Sequence, residues 1–129
     1  MITIELPGPP VAWTAIVRAK NGHAYSPKNK QKAAAKLLIK KQYLNEPTEL
    51  PFSLEFHFFM PIPKSFPKKK REYISVFSHV TKPDTTNLQK FAEDCLTGIV
   101  FVDDKQVVET YSKKSYSENP RTVIYIYQL

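Results

Sequence analysis

Residues 82–98 read Lys-Pro-Asp-Thr-Thr-Asn-Leu-Gln-Lys-Phe-Ala-Glu-Asp-Cys-Leu-Thr-Gly, and within them Leu88, Phe91, Ala92, Cys95 and Leu96 recur at i, i+3, i+4, i+7 and i+8. That spacing gathers the apolar side chains on one face of an α-helix. Pro83 drives its predecessor toward extended geometry, so the helix begins after Asp84. Thr86 with Gln89 fits a capping box, and Gly98 supplies the stop. Asn87, Lys90, Glu93, Asp94 and Thr97 are left on the polar face. Helical side chains tilt toward the N-terminus, so Lys90 points back toward Asp84 and Thr86. Cys95, the only cysteine, falls on the apolar face with no histidine near it in sequence, which predicts a buried thiol rather than a nucleophile.

Downstream of the helix, residues 99–102 read as a short buried strand that delivers Asp103-Asp104 at its end. Residues 107–112 read as a strand with Val107, Glu109 and Tyr111 on one face. Glu118-Asn119-Pro120 then turns into a final strand over 122–127, closing a hairpin. Upstream, Ile2, Ile4 and Leu6 alternate with polar residues as a first strand, ended by Pro7-Gly8-Pro9-Pro10. Residues 11–27 predict a loop or short hairpin turning at Asn21-Gly22. Residues 28–45 favour helix, with Lys28, Lys32, Lys36 and Lys40 stacked along one face and Ala33, Ala34, Leu37, Leu38 and Lys41 on the other side. Residues 52–59 alternate as a strand with Leu54, Phe56 and Phe58 inward. Residues 72–80 suggest a short helix or turn. The whole predicts one α+β domain over residues 1–129, with a mixed β-sheet and about two main helices.

The length of 129 residues suits one core rather than two. With 42% hydrophobic and 24% charged residues, neither a disordered chain nor a membrane protein is expected. No apolar run approaches the roughly 20 residues that span a bilayer, and Met1–Leu6 lacks the form of a signal peptide, so a cytoplasmic protein is expected. Nineteen basic against twelve acidic residues give a net charge of +7, which suits a polyanion such as nucleic acid. Arg18 and Lys20 in the early loop, and Lys64, Lys68, Lys69, Lys70 and Arg71 around Phe66, are the candidate DNA contacts. In that second group an exposed aromatic would stack on or wedge between bases. The same lysines also fit a plain solvated surface.

Asp84 stands before a helix and Asp103-Asp104 after a buried segment, with one helix between them, so the three carboxylates are expected to meet at one end of the fold. Converging carboxylates hold the divalent ion that phosphodiester hydrolysis draws on, and Lys90 is placed to steady a phosphate oxygen. Spacing alone favours the plainer reading, in which Asp84 caps a helix and Asp103-Asp104 makes a turn. His23, His57 and His79 form no spaced metal motif.

Lys82-Pro83-Asp84-x-x-Asn87-Leu88-x-Lys90, the Ala92-Glu93-Asp94-x-Leu96 helix and Phe101-Val102-Asp103-Asp104-Lys105-Gln106-Val107-Val108 together resemble the RusA-type Holliday-junction resolvases. The resemblance implies a small homodimeric α+β endodeoxyribonuclease, bacterial or phage-encoded, that nicks opposed strands of branched double-stranded DNA. It implies Asp84, Lys90 and Asp104 as catalytic residues. It further implies Asp84, Asp103 and Asp104 as holders of Mg²⁺, with Mn²⁺ as an alternative occupant. One position departs: where the family pattern has a second aspartate, this chain has Thr86, a neutral and weaker ligand for a hard cation. That leaves a weakly catalytic or non-catalytic junction-binding protein as the alternative. A second nuclease reading takes Pro83-Asp84 with Asp103-Asp104-Lys105 as the short signature of restriction-endonuclease-like enzymes.

Overall fold

In residues 52–61 large apolar side chains alternate with smaller or polar ones, and the pleat of a strand sends the two sets to opposite faces. Phe52, Leu54, Phe56, Phe58 and Met60 are buried, while Ser53, Glu55, His57 and Phe59 are half-buried on the other side. A computed structural model of the chain describes residues 1–25 and 27–129. Ser26, part of the expected loop, lies outside the described residues. The elements run β1 (Ile2–Pro7), β2 (Val17–Arg18), β3 (Ala24–Tyr25), α1 (Asn29–Gln42), β4 (Phe52–Pro61), α2 (Lys68–Arg71), α3 (Thr85–Leu96), β5 (Val107–Ser117) and β6 (Arg121–Gln128). Single 3₁₀ turns lie at Ile74–Val76 and Asp104–Gln106. This is the expected α+β architecture with a mixed sheet.

The main sheet has the order β1-β6-β4-β5. β4 pairs parallel with β5, setting Phe56 opposite Ser112, and antiparallel with β6, setting Phe56 opposite Ile124. The expected closing hairpin of the last two strands therefore does not form, because the turn at 118–120 carries the chain over the end of β4. The physical reason is burial. β4 has the longest run of buried side chains and takes the doubly flanked position, whereas β5 is exposed over much of its first half and takes an edge. A register shift between Phe52 and Ser53 places Val107 opposite Phe52 but Glu109 opposite Ser53. Val107 accordingly packs on the core while Glu109 and Tyr111 face solvent, so the three do not share a face as expected.

Helix α3 buries Leu88, Phe91, Ala92, Cys95 and Leu96, the stripe that the periodicity predicted. Its cap differs. Asp84, not Thr86, occupies the N-cap position, and its Oδ1 accepts the Asn87 N–H at 2.8 Å. Helix α1 packs against both α3 and β1, and only a narrow row faces inward: Ala35, Ile39 and the capping Tyr43. Leu37 is 62% exposed, because the lysine row opposite it turns toward α3 and rotates Leu37 outward. At the far end of α1, Gln42 bonds both the N–H and the C=O of Glu5 at 2.8 Å, tying the helix to the free edge of β1.

Residues 99–102 do not form the expected strand. Gly98, at φ 86°, lets the chain reverse without a Cβ penalty, and its N–H reaches the Phe101 carbonyl at 2.7 Å. Phe101 then makes isolated bridges to Thr48 and Thr97, so the segment stays folded against the end of α3. The hairpin of β2 and β3 turns through Asn21-Gly22 as expected, with Gly22 at φ 86°. Among the described residues no helix is long and apolar enough to cross a membrane.

Leu88→Ala removes a fully buried side chain and is expected to lower unfolding free energy by about 2–5 kcal/mol, read as a lower denaturation midpoint at unchanged slope. Burial pushes the Cys95 thiol up to about 11, so at pH 8 a thiol reagent should label the native protein far more slowly than the protein in denaturant.

Candidate active site

The acidic residues fall into two groups at opposite ends of α3. At its N-terminus the Lys82–Pro83 peptide is cis, and the Lys114 ammonium of β5 donates to the carbonyls of Thr81 and Pro83, the latter at 2.7 Å. That strut fixes the approach to Asp84, whose side chain is exposed apart from its capping bond. Thr86 is exposed in the first helical turn. Lys90 lies one turn further along, its Nζ 3.6 Å from the centroid of the Trp13 ring.

At the C-terminal end an open cleft of about 370 Å³ is lined by Lys32, Lys36, Asp94, Thr97, Asp103 and Asp104. Asp103 caps the 3₁₀ turn, accepting the Lys105 N–H at 2.9 Å. That backbone bond, and a side-chain hydrogen bond with Asp104, hold the Asp103 carboxyl below the usual carboxylate range. The same shared hydrogen bond raises Asp104, helped by slight burial and by the charges of Asp103 and Asp94. Glu93 is raised by burial, against a hydrogen bond from Gln89, and then by the charges of Asp104 and Asp94. Negative charge is crowded here and partly answered by lysines. Lys32 stands 3.8 Å from Asp94, and Lys36 donates to the Thr97 carbonyl at 2.8 Å, satisfying an orphan acceptor at the helix end. An apolar cavity of about 200 Å³ between β1, α1 and α3 has Leu38, Phe58 and Phe91 among its lining and carries none of these acids.

Asp94 lies ten residues beyond Asp84, which at the rise of an α-helix is about 15 Å. Oxygen ligands of one Mg²⁺, each roughly 2.1 Å from it, lie within about 4 Å of one another. The three aspartates expected to converge are therefore brought together only as the pair Asp103-Asp104, and one chain alone does not offer an ion the full set. Among the described residues no three His, Cys, Asp or Glu side chains form a metal-binding group. The physical reason is the Gly98 reversal, after which residues 99–102 stay at the end of α3 instead of travelling back along it.

Gln106 is the residue that reasoning from the sequence overlooked. It is buried, and its Oε1 accepts the N–H groups of Val102 and Asp103 at 2.9 Å each. Its Nε2 donates to the carbonyls of Thr48 and Leu50 at 2.7 and 2.9 Å. One side chain thus pins the Asp103-Asp104 turn to the connector before β4. A glutamine three residues after a capping aspartate was the available signal. Trp13 and Glu93 were also missed as members of the two groups.

The expected DNA contacts divide. Arg18 bonds the Gly22 carbonyl at 3.1 Å within the exposed hairpin, and Lys20 is exposed nearby. Lys64, Lys68 and Lys69 are exposed. Lys70 lies 3.9 Å over the Phe66 ring, and Arg71 bonds Pro63 and Glu118. Phe66 is not a free wedge: it packs on the small core of Ile62, Ile74 and Tyr116. His57 bonds Glu55 at 3.0 Å on the outer face of β4. His79 is buried against Tyr116, its pKa lowered by burial and then by Lys114.

The sequence profile of the family described as endodeoxyribonuclease RusA matches residues 7–127. A stretch of 80 residues is 38% identical to the uncharacterized protein YqaN of Bacillus subtilis (strain 168), covering 59% of this chain and 56% of that protein. The chain thus matches little more than half the length of that relative.

Gln106→Leu removes four hydrogen bonds around the part-buried Asp103-Asp104 turn and leaves the Val102 N–H only its 3.3 Å bond to the Thr48 carbonyl. It is expected to cost about 2–4 kcal/mol in chemical denaturation and to speed amide exchange at Val102 and Asp103.

Proposed function

This chain belongs to the RusA endodeoxyribonuclease family, and from that premise we propose that it is a metal-dependent endodeoxyribonuclease that resolves Holliday junctions, with each active site assembled from two copies of the chain. The observation that carries the second half is the separation of Asp84 and Lys90 from Asp103-Asp104 along α3. A site needing both groups is incomplete in one copy and complete in an antiparallel pair.

The exposed edge of β5 offers the surface for such a pair. The edge of β1 is tied to α1 through Gln42. Beyond β4, the backbone contacts of β5 among the described residues lie at 114–115, with residues 78–79. Val108 and Tyr111 on the same strand are 62% and 56% exposed. Two β5 strands joined antiparallel about residues 110–111, over the stretch that residues 78–79 leave open, would set residue 113 of one copy beside residue 108 of the other, spanning the roughly 17 Å by which these positions differ along a strand. Lys114 holds the Asp84 end of α3, and Asp103-Asp104 immediately precedes β5, so this pairing brings the two acid groups toward each other. A two-fold pair also supplies two sites, matching two opposed nicks.

In this reading Asp84 of one copy and Asp103-Asp104 of the other hold Mg²⁺ or Mn²⁺. When bound, the ion supplies charge relief at the phosphate and a more acidic water. Glu93 and Asp94 add the negative charge that Thr86 lacks, Asp94 from the wall of the cleft and Glu93 beside it. Lys90 holds a phosphate oxygen through its ammonium. Arg18, Lys20, Lys64, Lys68 and Lys69 meet the DNA backbone, where several phosphate contacts give a steep salt dependence.

The test is complementation on a synthetic four-way junction with Mg²⁺. Asp84→Asn and Asp104→Asn are each expected to reduce cleavage by at least about a hundredfold. Refolded together, they form mixed pairs with one intact site, so nicking of single strands returns. Mixtures as inactive as either variant alone would rule out the shared site.

A further inference from the structure

We infer that Trp13 is a positioning residue for Lys90, its indole face holding the ammonium at the Asp84 end of α3. This rests on the role given to Lys90 above. Lys90 is exposed, and a lysine on the polar face of a helix has several free rotamers to lose before it acts at one place. The ring centroid 3.6 Å from Nζ selects among them, since indole is the strongest of the aromatic faces for a cation.

Trp13 is itself fixed. Its side chain packs against the main core, and its backbone N–H donates to the Asn87 carbonyl at 2.9 Å. The N–H of the same Asn87 donates to Asp84 Oδ1 at 2.8 Å. One residue of the first helical turn therefore sets the place of both the acid and the ring that carries the lysine. An ammonium resting on a ring face, rather than neutralised by a carboxylate, keeps its positive charge for an incoming phosphate. The contact is also weak enough to be exchanged for a phosphate oxygen.

Because Trp13 is the only tryptophan, its fluorescence reports the contact without reference to cleavage. Lys90→Met is expected to change the emission of the folded protein, and adding an uncleaved four-way junction in Ca²⁺ should change it in wild type. In single-turnover junction cleavage, Trp13→Phe should stay within about twofold of wild type. Trp13→Leu, apolar but without a ring, should lose about three- to tenfold in rate with junction affinity unchanged. In a Lys90→Ala background Trp13→Leu should cost nothing further, and thermal unfolding verifies that each variant is folded at the assay temperature. Equal losses with and without Lys90, or a Trp13 emission indifferent to Lys90→Met, would overturn the inference. Full cleavage by Lys90→Ala would instead sink the role given to Lys90, leaving the emission to decide the contact.

Discussion

The packing of α3 on the sheet governs where everything else goes. Five of its twelve residues are buried against a core centred on β4, and at roughly 25 cal/mol per Å² of apolar surface that burial fixes the rotation of the helix about its axis. Once the stripe from Leu88 to Leu96 faces inward, the polar residues have no choice of side. The helix also acts as a spacer. Its length sets the distance between the acid at its start and the acids at its end, and no side-chain adjustment shortens about 15 Å to the span of one ion.

Both ends of that spacer are held by polar contacts that would otherwise be thought of as surface detail. Lys114 reaches from β5 to the carbonyls before Asp84, and Gln106 satisfies two donors and two acceptors around the Asp103-Asp104 turn. Buried or half-buried backbone groups must find partners, and here the partners also steady the carboxylates. The lysines of α1 follow the same logic. Lys32 and Lys36 do not form a solvent-facing row but lie over the acidic end of α3, where charge and an open helix terminus favour cations.

Several structural features were legible because they depend on local periodicity. The inward residues of β4, the buried face of α3, the Gly22 hairpin and the buried Cys95 all follow from spacing and turn chemistry. The pairing of strands was not legible in the same way. Nothing local tells β6 to insert beside β1 rather than fold back on β5, because that choice belongs to the competition among strands for the most buried place. The role of Asp84 was open between cap and site, and the structure shows the cap: one of its oxygens takes an amide, which does not prevent the carboxylate from serving elsewhere.

By itself the sequence determined the main helices and most strands, the buried faces of α3 and β4, the basic balance of the surface and the identity of the residues around Asp84, Lys90 and Asp103-Asp104, since each is written in residue type and short spacing. Only the tertiary structure decided how far apart those residues stand. A separation of twenty positions along the chain is compatible with contact or with opposite ends of a helix. The reversal at Gly98, pinned by Phe101 against Thr48 and Thr97, selected the second, because burying Ile99, Val100 and Phe101 at the end of α3 leaves no chain to carry the acids back.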